Sequence, residues 1–552
     1  AGVRVVFLAV NASYSHRSLA AWCLRAMLDE SRVSWHPVEA TIHDEPAEVL
    51  KRVKACAPDV VATTLYLFNT VHVQRVLAAV RSALPGCILV AGGPECLGDN
   101  RRLVPSVVDV AIRGEGEGAF AEWLAVFHEP AKWRGIPGVC CLADGVYSDN
   151  GAGRTLDSLD AIPAFYPLML RDFDRPFVQL ETSRGCPNGC LFCTSRRVRL
   201  RYKSMDRIRR DLADIHAAGI RDVRLVDRTF NLREDRGLRL LEFFRGSYPD
   251  VRFHLEIDPV LVTAAFTEAL RHAVPGQFHL EIGVQSLEPG VYPLLERKGD
   301  PGRVMEAVRT LCGMTHLRCH ADLMAGLPGQ TLSGLLEDVN RLVLAGPEAI
   351  QLERLKLLPG TPLAETPGRW GLQASDSPPY AIQSTSRMGP GDLRMADRVA
   401  KILDWYHNKA PLREVFAEGV RRRPEFVREL CEHCEGRTAF STCPGLEARL
   451  RLLDTFWAGR SEPMRHRVRY LWFRHGCSMR NGLCPTERWK APVPEDAELV
   501  EGTGAGKVSR IWRVVLEAPH YFCFGRGEAG GRALVAVYRS RHQQADRTLP
   551  ID

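Results

Sequence analysis

The stretch Leu180–Ser195, "LETSRGCPNGCLFCTS", sets Cys186, Cys190 and Cys193 within eight residues, beside Gly185 and Gly189. It begins inside the strand-like run "FVQLETS", so the thiols fall in a glycine-containing loop just past a strand. Three thiolates spaced C-x3-C-x2-C can hold three irons of a cubic [4Fe–4S] cluster, leaving the fourth iron open to another ligand. Zinc is the competing metal, but a closed zinc site takes four ligands, and no neighbouring cysteine or histidine supplies the fourth. Inert buried cysteines are the remaining reading.

Downstream, five more strand-like runs alternate with helical stretches: "DVRLVDRTF", "RFHLEIDP", "FHLEIGVQS", "RCHADLMAGLP" and "AIQLERLKLLPG". Six such βα units over residues 176–365 predict an open, partial (β/α)6 barrel whose chemistry belongs at the C-terminal rim. Polar residues fall at those strand ends: Asp227 after the second, Glu256 after the third, and Glu281, Gln285 and Ser286 on the fourth. Leu357 lies in the apolar "LKLLPGTPL" that ends the sixth.

Upstream, residues 1–128 read as a separate α/β domain. "VRVVFLAV", "DVVATTLY", "CILVAGGP" and "VVDVAIRG" are short apolar strands between amphipathic helices, the pattern of a doubly wound, Rossmann-like parallel sheet. Ligands of such sheets sit at the carboxyl ends of the strands. Four segments mark that edge: "NASYSH" with Ser13 and Tyr14, "TTLYLFN" with Thr64 and Tyr66, "GGPE" with Gly92, Gly93 and Glu95, and "RGEGE" with Gly114 and Glu115. Residues 129–175 read as a connector carrying a small hairpin. Residues 366–552, opening on the Pro-rich "ASDSPPYAIQSTS", read as a mainly helical C-terminal domain that ends in a hairpin, "HYFCF" and "RALVAVY".

The 552 residues are 45% hydrophobic and 25% charged, the balance of an ordinary soluble protein with ample core. No run is long and apolar enough to span a membrane, and the N-terminus has no secretory-signal pattern, so a cytoplasmic protein is expected. A net charge of +7 is mild on this length and does not single out nucleic acid; "EGVRRRPEFVREL" reads as a solvated helix face. Seventeen cysteines, an odd number, argue against a disulfide framework.

The triad after the first strand of a six-unit barrel resembles the radical S-adenosylmethionine superfamily. That resemblance implies that S-adenosylmethionine chelates the open iron and is cleaved to a radical that abstracts hydrogen from a substrate. Asp227, Glu256, Glu281, Gln285, Ser286 and Leu357 would then surround that cofactor. With "NASYSHRSLA", "GGPE", "RGEGE", "ETSRGCP", "DRTFN" and "EIGVQS", residues 1–390 resemble the cobalamin-binding branch, a subgroup with an uncharacterised C-terminal region. The four edge segments would surround the corrinoid. Asp214–Gly219 fits the D-x-H-x-x-G string of carriers that ligate cobalt through histidine, but it ends a helix inside the barrel. His16, in the expected loop, misses that string, so the resemblance implies cobalamin without histidine below the cobalt.

The implied reaction is methylation of an unactivated carbon of a small molecule or peptide, with flavodoxin or ferredoxin as electron donor. Radical ring contraction or cyclisation, a tRNA methylthiotransferase, and a non-catalytic corrinoid-binding protein are the alternatives. Cys431, Cys434, Cys443, Cys477 and Cys484 are candidates for a second metal site, zinc or an auxiliary iron–sulfur cluster, against plain buried thiols. Tyr380, Trp472 and Arg474 are candidate substrate-pocket residues.

Overall fold

The computed structural model describes residues 2–437, 440–475 and 477, with five further strand segments between 487 and 539. The chain divides into two compact units. One holds Ala1–Asp338, Ala345–Pro347 and Leu352–Leu393; the other holds Val339–Leu344, Glu348–Gln351 and Arg394–Asp552.

The first unit opens with a seven-stranded sheet. β1 (Val3–Asn11), β2 (Val33–Thr41), β3 (Val60–Thr64), β4 (Ile88–Gly92) and β5 (Val110–Ile112) are parallel, and β6 (Val139–Ala143) and β7 (Val146–Asp149) add an antiparallel hairpin, in the order β2-β1-β3-β4-β5-β6-β7. β1 is apolar at nearly every position because both faces are covered: Val6, Leu8 and Val10 enter one core, Val5, Phe7 and Ala9 the other. β2 was not expected from the sequence. "VSWHPVEAT" carries His36, Pro37 and Glu39, residues tolerable because β2 is an edge strand paired only to β1. The hairpin expected in residues 129–175 is β6 and β7, so that segment extends the sheet.

A second, six-stranded sheet follows. β8 (Val178–Leu180), β11 (Asp222–Leu225), β12 (Arg252–Ile257), β13 (Phe278–Gln285), β14 (Arg318–Ala325) and β15 (Ala349–Arg354) are its strands, in the order β15-β14-β13-β12-β11-β8. It is the expected partial barrel, with β8 and β15 as its edges. Phe253, Leu255 and Ile257 are buried while His254 and Glu256 between them are half-buried, and β13 and β14 alternate in the same way. The half-buried face of each strand is therefore polar. β9 (Ser183–Cys186) and β10 (Val198–Tyr202) form a separate antiparallel pair that the sequence reading missed.

Residues up to Leu393 cluster with the first unit, so its limit follows the Pro-rich stretch instead of preceding it. Two ties account for this. β17 (Ile382–Ser384), which pairs with β16 (Gln373–Ala374), is held by Ile382 N donating to Leu355 O at 2.9 Å, and the Tyr380 hydroxyl donates to the buried Glu95 carboxylate at 2.7 Å while accepting from Arg102 Nη1 at 2.6 Å.

The second unit is helical through Ala410–Arg422, Phe426–Glu435, Leu446–Trp457 and Glu462–Arg474, around buried Trp405, Phe416, Phe426, Phe456 and Trp457. Five antiparallel strands follow: β18 (Glu487–Arg488), β19 (Glu498–Val500), β20 (Arg510–Leu516), β21 (Tyr521–Gly527) and β22 (Ala533–Arg539). The expected hairpin is β21–β22, within a sheet larger than foreseen. Among the described residues no helix is long and apolar enough to cross a membrane.

Candidate functional site

The cysteine loop is the connection between β9 and β10. Its backbone is pinned from within by Cys193 N to Cys190 O at 3.1 Å and Arg197 N to Asn188 O at 3.0 Å, and from outside by Leu191 N to Leu295 O at 3.1 Å. Arg196 and Arg197 both donate to Glu296, at 2.7 and 2.9 Å. Cys186 and Cys190 are buried, and Cys193 is half-buried. Burial pushes the Cys190 and Cys193 thiols above their ordinary value, so metal binding must displace their protons.

Gly185 has φ +100, and a Cβ there would stand 2.3 Å from Arg199 O across the β9–β10 pair. Gly185→Ala is expected to spread this hairpin and misplace Cys186, lowering the iron content of the reconstituted protein and its melting temperature together. An unchanged iron content would show that the hairpin does not position the cysteine.

A cavity of about 210 Å³ lies beside the triad. Cys186, Cys190 and Cys193 share its wall with Asn188, Arg228, Glu256, Asp258, Glu281, Gln285, Arg297 and Asp322. His254 Nε2, 3.1 Å from the carboxylate, holds Glu281 down to about 2. Burial and then the Glu281 charge push Asp322 up to about 9, against His320 Nε2 at 3.2 Å from its carboxylate. Burial also raises Glu256. Arg297 donates through Nη2 to Gly283 O at 2.5 Å, and its buried Nε meets no partner among the described residues. That orphaned donor suits an anionic guest, such as an iron–sulfur cluster or the carboxylate of S-adenosylmethionine, and with three thiols on the same wall the residues fit both. Among the described residues no group of three His, Cys, Asp or Glu is placed to hold a single ion. The cysteines of a cubic cluster each bond a different iron and need not converge on one point.

Of the residues expected around S-adenosylmethionine, Glu256, Glu281 and Gln285 line this cavity. The other three do not. Asp227 is buried and accepts from Thr182 N at 2.7 Å, Thr182 Oγ1 at 2.5 Å and Ser183 Oγ at 2.6 Å, fixing the start of the cysteine hairpin. Ser286 is turned away and donates to Asp338 at 2.9 Å. Leu357 lines a separate cleft with Tyr380. Arg297 had no sequence signal, since it arrives from the turn after the helix Val291–Leu294 and not from a strand end.

A larger cavity, about 690 Å³, opens at the carboxyl edge of the N-terminal sheet. All four glycine-marked segments contribute: Asn11, Ala12 and His16; Thr63, Thr64, Tyr66 and Phe68; Gly92 and Gly93; and Gly114, Glu115 and Glu117. At its depth are Phe7, Leu24, Ala62, Val90, Ile112 and Phe120, an apolar channel between sheet and helices. Gly93, at φ +96, brings bare backbone to the wall, and a Cβ there would lie 2.9 Å from Leu65 O. A polar mouth over an apolar channel fits a corrinoid with an extended tail. Three expected contacts are placed elsewhere. Ser13 Oγ meets His16 Nδ1 at 3.2 Å; Tyr14 is exposed, bonded to Asp174 under the Arg175 guanidinium; Glu95 is the buried acceptor of Tyr380.

Arg184, two residues before Cys186, is the charged hub of this region. It reaches Glu181 at 2.8 and 2.9 Å, Glu117 at 2.7 Å and Glu115 at 3.4 Å, tying the barrel's first strand to the edge of the N-terminal sheet. Arg201 donates to Glu115 at 2.9 Å, and despite burial these two guanidinium groups hold the Glu115 carboxyl below its ordinary value. Ser195, Arg228 and Glu256 line both cavities, so the triad cavity and the N-terminal cavity adjoin across these three residues.

Cys431 and Cys434 lie buried on one helix, Phe426–Glu435, with burial pushing Cys434 to about 12. Cys443 is exposed, Cys477 is buried, and Cys484 lies outside the described residues. Trp472 is a buried core residue under Arg451, and the Arg474 side chain lies outside the described residues. The D-x-H-x-x-G string ends a helix as expected, with His216 bonded to Asp250 and Gly219 at φ +82.

A family model of the B12 binding domain matches residues 5–124, and one of the radical SAM superfamily matches residues 180–342. An uncharacterised methyltransferase of Pyrococcus horikoshii is 24% identical over 300 residues, 52% of this chain and 64% of that protein. TokK of Streptomyces tokunonensis, named as a cobalamin-dependent radical SAM methyltransferase, is 24% identical over 393 residues, 66% of this chain and 56% of that protein. The chain thus spans less than two thirds of the length of these curated relatives. The fold is shared with the radical S-adenosylmethionine methyltransferase TsrM of Kitasatospora setae, solved with cobalamin and a [4Fe–4S] cluster, at TM-score 0.55, 17% identity, 68% of this chain and 78% of that one. A B12 binding domain followed by a radical SAM barrel, with a cavity at each, places the chain among the cobalamin-binding radical S-adenosylmethionine enzymes, whose cofactors are a [4Fe–4S] cluster, S-adenosylmethionine and cobalamin.

Proposed function

We propose that the protein is a cobalamin-dependent radical methyltransferase acting on an unactivated carbon of a small molecule or peptide. The observation that carries this reading is the adjacency of the triad cavity and the N-terminal cavity, which share Ser195, Arg228 and Glu256 in their linings. Relatives named as methyltransferases favour methyl transfer over other radical chemistry. When bound, the cluster with S-adenosylmethionine supplies hydrogen-atom abstraction, and the corrinoid supplies the methyl group.

The chain's own residues have separable tasks in this reading. Cys186, Cys190 and Cys193 hold the cluster, and the unpartnered Arg297 Nε–H faces its anionic surroundings. Glu281, whose carboxyl is held low by His254, would offer negative charge to a cationic group of S-adenosylmethionine in the triad cavity. A cytoplasmic setting keeps the free cysteines reduced, and a flavodoxin or ferredoxin is the proposed electron donor.

The test is turnover by anaerobically reconstituted protein given cobalamin, a reductant and S-adenosylmethionine carrying a trideuteromethyl group, in an extract of the source cells. Methyl transfer requires equal amounts of S-adenosylhomocysteine and 5'-deoxyadenosine, with the heavy methyl recovered in a product. 5'-Deoxyadenosine without S-adenosylhomocysteine would redirect the reading to ring contraction or cyclisation. Iron without bound cobalt would favour a methylthiotransferase.

A further inference from the structure

We infer that the substrate is an acid, and that Arg228 holds its carboxylate or phosphate group where the two cavities adjoin. The inference deepens the methyltransferase reading and rests on it. Arg228 lies in the loop that follows β11 and lines both the triad cavity and the N-terminal cavity. The backbone around it is fixed from either side. Asp227 accepts from Thr182 and Ser183, while Asn231 Nδ2 donates to Asp258 O at 2.9 Å and Asp258 N donates to Asn231 Oδ1 at 2.9 Å. The Arg228 side chain is exposed, and among the described residues no acceptor meets its guanidinium.

The other guanidinium groups on these walls are committed. Arg17 pairs with Glu39, Arg184 with three glutamates and Arg196 with Glu296, and Arg297 donates to Gly283 O. Burial raises Cys193, Glu256 and Tyr66, and in each the Arg228 charge opposes that rise. Cys193 belongs to the triad cavity, Tyr66 to the N-terminal one and Glu256 to both, so the charge acts on both sides of the junction. Arg297 lines the triad cavity alone, beside the thiols. In the proposed reaction the substrate meets both the radical source and the methyl donor, which puts it at the junction, with Arg228. A guanidinium stays charged at any working pH and presents paired N–H donors that match a carboxylate or phosphate. Because the loop is already fixed, little ordering accompanies the capture.

The test divides a source-cell extract on an anion exchanger, near pH 7, into bound and unbound fractions. Each is given to the reconstituted full chain with cobalamin, reductant and trideuteromethyl S-adenosylmethionine. The heavy methyl should appear in compounds of the bound fraction, and the product should itself bind the exchanger. With that fraction as the probe, Arg228→Gln should raise the amount giving half-maximal labelling about 10- to 100-fold, through loss of a charge-assisted pair of hydrogen bonds, and Arg228→Lys should recover part of the loss. Iron and cobalamin, measured on the same samples, should stay at wild-type levels. Label confined to the unbound fraction would overturn the inference and leave the methyltransferase reading standing. Unchanged half-saturation in Arg228→Gln would do the same, as would loss of its cobalamin, which would assign Arg228 to the corrinoid. The fractionation needs wild-type protein alone, so it stands even if the variants fail to fold. Label from neither fraction would overturn the methyltransferase reading, and this inference with it.

Discussion

Cys193→Ala is expected to leave a folded protein that still binds cobalamin but forms 5'-deoxyadenosine more than about 100-fold more slowly, because losing a metal ligand costs more than losing its supporting partner. Cys193 lines the triad cavity and not the N-terminal one, whose wall in this stretch is Thr194 and Ser195. The loop also has anchors that do not involve this thiol, including the Leu191–Leu295 bond and the Arg196–Glu296 pair. Iron should fall from about four per chain while absorbance still reports the corrinoid. Melting temperature separates ligand loss from unfolding, since truncating one half-buried thiol should cost no more than about 1 kcal/mol. A variant that keeps both iron and product would remove the triad from the mechanism.

Arg184→Met should be the most destabilising single change in the site. The Arg184 side chain is only 20% exposed and is shared among Glu115, Glu117 and Glu181. Methionine fills similar space but strands carboxylates contributed by both sheets of the first unit. Removing one partner from a buried ionic group costs about 3–5 kcal/mol. Because the folded-state value of Glu115 is depressed, its contribution in the wild type is present above the unfolded value and lost as pH falls through the folded one. In the variant the crowded carboxylates resist ionisation, so the deficit should be largest at neutral pH and shrink toward acid. Urea unfolding near pH 7 and near pH 5 measures both ends. A deficit equal at the two values would mean that lost packing, not stranded charge, explains the effect.

Much of this arrangement was legible because chemistry and periodicity coincide. The strands of both sheets announce themselves as apolar runs, and glycines mark the edge where four separate segments meet one cavity. What escaped has specific causes. The chain turns at Gln285, the last residue of β13, with φ +68, so Gln285 lines the triad cavity while Ser286 beyond it pairs with Asp338. Asp227 sits at a strand end, yet its acceptor atoms are consumed by Thr182 and Ser183, a bond pattern no spacing reveals. β2 was hidden by the proline and charge that an edge tolerates. Arg184 and Glu181 lay inside the quoted motif, but the other two acidic partners come from positions 115 and 117, which only the fold brings to them.

The strand order of the barrel bears on how the chain is made. From β8 through β11 to β15, each strand lies beside the one before it in sequence, so every new βα unit leaving the ribosome finds its neighbour already synthesised. The N-terminal sheet lacks this convenience, because β3 must pass β2 to reach β1. Vectorial growth leaves the first-made strand, β8, as a permanent margin. The cysteine hairpin that follows it is fastened by residues made later, Leu191 N to Leu295 O at 3.1 Å and Arg196 to Glu296 at 2.7 Å, so the triad's surroundings are complete only after the fourth and fifth strands have emerged.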